Sequence, residues 1–239
     1  MKTIKSLIIL SIASVMLLSS CVMGSYKAGD RVEGTTTAHV DSVSYAVGVF
    51  FANSLASADF GEVKYDMVIK GLKDKLNEDS LKIVEEEIMP FLRDHLSNRA
   101  EKVAEANLVE GQEFLAKKEA EGGVVKTESG LLYEVVAEGS GISPTLADEV
   151  EVNYRGTLVD GTEFDASPEG KPVKFPLNRV IKGWQEGITY AKEGGQIKLY
   201  VPADLAYGPQ GAPGRIPGNA TLIFEVELVK VYKATAEKE

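Results

Sequence analysis

The hydrophobic pattern of this chain changes period once, at Gly122-Gly123, and no single element can satisfy both halves. Ahead of that pair, apolar residues return every three or four positions: Val43, Val47, Phe51 and Leu55, then Val68, Leu72 and Leu76, then Leu81, Val84, Ile88 and Leu92. Such spacing lines one face of a helix. Beyond the pair the period is two. Val150, Val152 and Tyr154 alternate with Glu151, Asn153 and Arg155; Ile197, Leu199 and Val201 alternate with Lys198 and Tyr200; Leu222, Phe224, Val226 and Leu228 alternate with Ile223, Glu225 and Glu227. Strands with one buried and one wet face read this way, as in antiparallel sheets. Asp160-Gly161 between two strand-like runs is a hairpin signal. One short helix, from about Ile181 to Ala191 and closed by Gly194-Gly195, interrupts the strands. The fold class that follows is α+β: an antiparallel sheet wrapped on one short helix, preceded by an all-α region and a long spacer helix.

The helical half is predicted as three segments. Asp41 or Ser42 is placed to cap a helix running to about Ser57, and Gly48 inside it marks a close helix crossing. A second segment spans Tyr65 to Leu76. Neither has enough apolar surface for a core of its own, so both need a partner. The third and longest, about Ser80 to Glu121, carries Pro90, which should kink or divide it. Beyond Leu96 its pattern thins into Glu, Lys, Asn and Ala, the signature of a solvent-bridging spacer. About 30 continuous residues would span about 45 Å.

At 239 residues the chain has room for a medium domain and a smaller one. Its formal net charge is −10 and no dense Lys/Arg cluster appears, which disfavours nucleic acid as a partner. Lys2 and Lys5 precede an apolar run from Leu7 to Leu18 that falls short of the roughly 20 residues a membrane span needs. Leu18-Ser19-Ser20-Cys21 follows, and it resembles the lipobox of bacterial lipoproteins, in which the cysteine is lipidated before cleavage. Cys21 is the only cysteine, so no intrachain disulfide can form. Val22, rather than Asp, after Cys21 suggests outer-membrane delivery under the familiar lipoprotein sorting pattern, with the protein facing the periplasm. The resulting partition is a signal peptide at 1–20, a flexible tether at 21–37, a helical dimerisation domain at 38–79, the spacer helix at 80–123, a sheet domain at 124–233 and a tail at 234–239. His39 and His95 have no Cys or paired carboxylate at ligand spacing, so no metal is expected.

The chemistry-bearing residues lie in the sheet domain. They are aromatic: Tyr154, Phe164 beside Asp165, Phe175, Trp184 and Tyr207. No activated nucleophile, metal cluster or phosphate loop accompanies them, which suits a reaction that makes and breaks no bond to its substrate. Val152-Asn153-Tyr154-Arg155-Gly156 and Asp160-Gly161-Thr162-Glu163-Phe164-Asp165 resemble the first half of an FKBP-type peptidyl-prolyl isomerase. Val180-Ile181-Lys182-Gly183-Trp184-Gln185-Glu186-Gly187 matches its central helix. Val201-Pro202-Ala203-Asp204-Leu205-Ala206-Tyr207-Gly208 and Ala220-Thr221-Leu222-Ile223-Phe224-Glu225-Val226-Glu227-Leu228 complete the family order over about 105 residues. Asp41-Ser42-Val43-Ser44-Tyr45-Ala46-Val47-Gly48 and the long spacer are similar to the Mip-like (macrophage infectivity potentiator) branch. Taken singly, Trp184, Phe224 and Val180 read as core, and Tyr207 as a loop tyrosine; the joint spacing decides otherwise.

The resemblance implies an FKBP-like fold and a prolyl cis-trans isomerase, or rotamase, needing no cofactor. It implies that Tyr154, Phe164, Val180, Ile181, Trp184, Tyr207 and Phe224 line the proline pocket with Trp184 as floor. Val173, Phe175 and Ile216 are expected to add to the lining. It further implies that the backbone N–H of Ile181 and the hydroxyl of Tyr207 hold substrate carbonyls, with Asp165 near the twisting amide. Val173 stands where a large aromatic is common, Ala212 where an aromatic or His is common, and Arg215 where an apolar residue is common. The pocket should therefore be more open, which leaves affinity for macrolide inhibitors undecided. The partners implied are proline-containing exported polypeptides, a second copy of the chain through the N-terminal helices, and a membrane through the lipid. The competing reading is a non-catalytic chaperone that keeps the cleft only to grip peptides.

Overall fold

A computed structural model describes residues 36–234 of the chain; the expected signal peptide, Cys21, almost all of the expected tether and most of the expected tail lie outside them. The described residues fall into two compact units, one of residues 36–58 with 62–85, the other of residues 59–61 with 86–234.

In the first unit, α1 (Thr37–Ser57) starts earlier than Asp41 or Ser42. Thr36 supplies the cap, its side chain accepting from the His39 N–H at 3.2 Å. Ser42 and Ser44 instead bend their hydroxyls back to the carbonyls of Ala38 and Val40, at 2.8 Å each, which is how serine is accommodated inside a helix. No residue of α1 is buried. Val43, Val47, Phe50 and Phe51 are exposed, and a Cβ on Gly48 would meet nothing within 4 Å, so the expected helix crossing is absent among the described residues. The second helix, α2 (Tyr65–Leu76), has the predicted bounds. Lys70 grips the buried Asp74 one turn on at 2.8 Å, while Val68, Leu72 and Leu76 stay exposed.

The long helix α3 (Glu85–Glu119) starts after Leu81 and Val84, which precede it in irregular chain. Pro90 lies within it without dividing it. In the second turn its missing N–H forfeits one hydrogen bond, to the carbonyl four residues back, and 29 residues of helix follow it. Nor is the rest of α3 wet on all sides. Ala104 and Gly111 are buried, and Val103, Asn107, Phe114, Leu115 and Lys118 share their face. Asn107 Nδ2 donates to the Gly218 carbonyl at 2.9 Å, and Asn219 Nδ2 returns a bond to the Ala104 carbonyl at 3.2 Å. Phe114 packs on Tyr200 with ring centroids 5.9 Å apart. A spacer was expected here because the contact face is built of small and polar residues, which carry little hydrophobic periodicity.

The sheet contains β1 (Val125–Lys126), β2 (Leu132–Ala137), β3 (Glu149–Leu158), β4 (Glu163–Ala166), β5 (Val173–Pro176), β6 (Gly195–Val201) and β7 (Leu222–Tyr232). The order is β1-β2-β6-β7-β3-β4, with β5 also on β3, and the pairings are antiparallel. Asp160-Gly161 forms the β3–β4 turn, Asp160 Oδ1 accepting from the Thr162 N–H at 2.8 Å. The alternating residues fill the core: Val150, Val152, Ile197, Leu199, Val201, Leu222, Val226 and Leu228 are all buried, and with them Leu131, Leu177 and Ile188. The single helix facing them is α4 (Lys182–Gly187), extended by one 3-10 turn at Ile188–Tyr190. It lies close because Gly183 and Gly187 have no Cβ; one on Gly183 would fall 2.3 Å from Val201 Cγ1.

Two polar anchors complete the frame. Asp148, 3% exposed, accepts from the backbone and hydroxyl of Thr145, from Lys233 Nζ and from the Ala234 N–H, tying the residues just after β7 to the loop before β3. Burial alone would raise its pKa, but these bonds together outweigh it and hold the carboxyl below its ordinary range. On the other face of the sheet, burial and then Glu134 push the Tyr200 phenol up to about 12.

Candidate functional site

One concave site gathers most of the residues singled out in the sequence. Tyr154 on β3, Phe164 and Asp165 on β4, Phe175 on β5, Val180 and Ile181 ahead of α4, Trp184 on α4, Tyr207 in the loop after β6, and Phe224 on β7 surround a cavity of about 470 Å³. Phe175, Tyr154, Trp184 and Phe224 form an edge-to-face cluster: Tyr154 and Phe224 each lie 5.2 Å from Trp184, and Phe175 lies 5.7 Å away. Phe164 continues it, 5.6 Å from Phe224 at 87°. Edge-to-face packing holds each ring through its neighbours, so the walls are preorganised. Trp184 is 4% exposed and its Nε1–H finds no acceptor among the described residues, in keeping with an almost wholly aromatic setting.

Gly156 makes this packing possible, and the sequence pattern gave its role no signal. A Cβ there would stand 2.7 Å from Phe164 Cζ and 3.0 Å from Phe224 Cε1. Only glycine lets both rings lie over β3.

Polar groups are few and placed at the rim. Tyr154 donates its hydroxyl to Asp165 Oδ2 at 2.7 Å. Burial, reinforced by that bond and the Asp165 charge, raises the Tyr154 pKa well above the ordinary tyrosine value, so the phenol keeps its proton. Ile181 precedes α4 in extended conformation (φ −60°, ψ 151°), its carbonyl accepting from the N–H groups of Trp184 and Gln185 at 3.0 Å each. Its own N–H has no protein acceptor among the described residues. Tyr207 is 43% exposed, and its hydroxyl likewise has no partner there. Two donors are thus left for a ligand. The loop after Tyr207 is closed by the Asn219 N–H on the Gly208 carbonyl at 2.9 Å and fixed to α3 by the Asn107 amide on the Gly218 carbonyl and the Asn219 amide on the Ala104 carbonyl.

Two expected lining residues are elsewhere. Ile216 is 6% exposed in the core cluster, its backbone paired with Ala212. Val173 pairs with Val152 at the start of β5 and does not line the cavity, whose wall that strand supplies through Phe175, on the same face two positions on. Arg179, which no pattern had marked, lines the cavity instead. It sits in the 3-10 turn Leu177–Arg179, an irregular stretch with no periodicity to read. A second concavity of about 450 Å³, lined by Glu134, Lys198, Glu225 and Glu227 among others, lies on the outer face of the sheet, where Lys198 pairs Glu225 at 2.8 Å. It has no aromatic wall.

Comparison with known proteins agrees with this geometry. Residues 141–229 match the family model described as FKBP-type peptidyl-prolyl cis-trans isomerase, and residues 40–135 match that of the domain amino terminal to it. The chain is 39% identical over 206 residues to the FKBP-type peptidyl-prolyl cis-trans isomerase FkpA of Aeromonas hydrophila, covering 82% of this chain and 76% of that protein. The chain belongs to the FKBP-type peptidyl-prolyl cis-trans isomerase family. It is also 34% identical over 231 residues to the outer membrane protein MIP of Legionella longbeachae, covering 91% and 98% of the two chains. Among solved structures, FkpA from Escherichia coli superposes with a TM-score of 0.67 at 37% identity, covering 86% of this chain and all of that one. The α+β class read from the periodicity and the isomerase activity both stand.

An isomerase of this kind lowers the barrier to rotation about an Xaa-Pro amide, about 18–20 kcal/mol in solution. That barrier comes from resonance between the nitrogen lone pair and the carbonyl. The twisted amide has lost the resonance and with it much of its charge separation. An apolar hollow therefore binds the twisted form more favourably than the planar ones, and such differential binding is catalysis.

Proposed function

We propose that the mature chain is an envelope folding catalyst, anchored by a lipid on Cys21 and paired with a second copy through its N-terminal helices. In this reading the substrate proline sits on Trp184 between Tyr154, Phe164, Phe175 and Phe224. The Ile181 N–H and the Tyr207 hydroxyl hold flanking carbonyls, while Asp165, oriented by Tyr154, faces the rotating amide. The observation that carries this is the edge-to-face ring cluster around the cavity, with the unengaged Ile181 N–H and Tyr207 hydroxyl at its rim. Uncatalysed prolyl isomerisation takes tens to hundreds of seconds, slow enough to limit the folding of an exported chain.

Support for pairing comes from α1 and α2, whose apolar residues Val43, Val47, Phe51, Val68, Leu72 and Leu76 are all exposed in one copy. A contiguous uncovered apolar face on a water-exposed helix marks an interaction surface. Support for export and lipidation comes from the sequence around Leu18 to Cys21, and the name of the Legionella relative places that protein at the outer membrane. Mature protein expressed in its native cell should partition into detergent with Cys21 and into buffer with Cys21→Ser. Light scattering of the soluble Cys21→Ser protein should give twice the monomer mass, and a monomer mass would refute pairing. For the site, a peptide isomerisation assay on the full mature chain should show activity that falls by at least about tenfold in Asp165→Ala. Unchanged activity would remove Asp165 from the mechanism.

A further inference from the structure

The mouth of the pocket is more basic than the chain that surrounds it. Arg179 lines the cavity, and no ion pair engages it among the described residues. Arg215, on the loop after Tyr207, has a side chain 69% exposed; its only ion pair among the described residues, Nη1 to Asp165 Oδ1, is 3.8 Å long and carries no hydrogen bond. The one carboxylate in the wall, Asp165, already has its other oxygen on the Tyr154 hydroxyl at 2.7 Å. The charge of Arg215 is felt at the Tyr154 phenol on the rim, where it slightly opposes an upward pKa shift caused mainly by burial and Asp165. Two guanidinium groups with open donors therefore flank the aromatic hollow, in a chain of net charge −10.

We infer that the substrates this site favours carry a carboxylate on the residue next to the proline, with Arg215 and Arg179 as the groups that read it. The inference rests on the isomerase reading of the pocket and adds its specificity. A guanidinium presents five N–H donors in a planar fork that matches a carboxylate. Because the rim is wet, the preference is modest and local; screening removes it beyond about 10 Å at 0.1 M salt. An acid placed far along the peptide instead meets the negative field of the whole chain. Position, rather than peptide charge, is the signature.

The test uses the full mature protein and short single-proline peptides with Glu, Ala or Lys immediately before or after the proline. A matched control carries the same Glu at least six residues away. The wild type should show a Glu-over-Lys ratio of kcat/KM of about five to twenty on at least one flank. The distant Glu should give no gain over Ala. Raising ionic strength from about 0.02 to 0.5 M should shrink the ratio toward one. Arg215→Ala or Arg179→Ala should cut it about threefold, and Arg215→Glu should bring it below one. Ratios cancel any loss of folded protein or of overall rate. The inference is overturned by a wild-type ratio within about twofold of one, or by ratios unchanged in all three variants. If peptides bound without turnover, the isomerase reading would fail instead. The ratio of dissociation constants, followed by fluorescence of Trp184, the chain's single tryptophan, would still decide the specificity.

Discussion

Gly183→Ala offers a clean test of how the frame holds the site. The new Cβ would stand 2.3 Å from Val201 Cγ1 and 3.0 Å from Cγ2. Carbon atoms pack at about 3.5–4.0 Å, so about 1.2 Å or more must be found. Val201 cannot supply it, being fully buried in the middle of the core. The helix α4 must therefore lift, and Trp184 is its next residue. Overpacking of this kind costs about 1–3 kcal/mol, offset by up to about 1 kcal/mol from the better helix propensity of alanine. A net loss of about 1–2 kcal/mol follows, roughly 4–12 °C for a domain of this size. Catalysis should suffer more than stability, since a displacement near 1 Å can cost about a hundredfold. A protease-coupled peptide assay at a temperature where the variant is fully folded should show kcat/KM down about 10- to 100-fold, with Trp184 emission shifted. Adding Val201→Ala should restore space and part of the activity. Wild-type kcat/KM and emission in Gly183→Ala would refute the claim that helix seating sets the pocket.

Asp148→Asn should lose about 2 kcal/mol at neutral pH, because four donors from Thr145, Lys233 and Ala234 lose their charged acceptor. The depressed pKa of Asp148 means that its stabilisation is complete above the ordinary aspartate value near 3.9 and drains away as pH falls below it. Urea midpoints against pH should show a wild-type decline below about pH 4 that the variant lacks in part; superimposable profiles would contradict this. Tyr154→Phe keeps the ring but frees Asp165, and should lower kcat/KM about tenfold with stability changed by less than about 1 kcal/mol. Gly111→Val would drive a side chain into the buried Thr221, whose Oγ1 lies 2.3 Å from a Cβ at that position. Calorimetry should show a lower melting midpoint, partly recovered by adding Thr221→Ala.

The parts of this fold that were legible in the sequence are those governed by one-sided burial. Val150, Val152, Leu222, Phe224 and Val226 alternate because one face of each strand meets the core; Tyr65–Leu76 was legible from its helical spacing alone, since its apolar residues are exposed in one copy. What was not legible depends on small or irregular residues. Ala104, Asn107 and Gly111 seat α3 by close approach and amide hydrogen bonds, which leave no hydrophobic period. The short strand β2 gave no prediction because Glu134, Val135 and Val136 mix polar and apolar residues on an outer run. Thr36 outcompeted Asp41 and Ser42 as a cap because a hydroxyl at the true helix start satisfies an orphan N–H, whereas serines farther in can fold back on their own helix. At the site, the aromatic walls were visible as residue types at spacing. Arg179 was hidden in a 3-10 turn, and Ile216, an apolar residue after the Tyr207 loop that reads equally as wall or core, lies in the core cluster.

The most direct measurement follows one single-proline peptide by exchange NMR on the full mature chain, recording the cis–trans rate and the bound fraction together. If the ring-walled hollow favours the twisted amide, exchange of the bound peptide should run at least about a thousandfold faster than the uncatalysed event of tens to hundreds of seconds. Trp184→Ala should slow it far more than it weakens binding. A peptide that fills the hollow and still exchanges at its free rate would contradict the account.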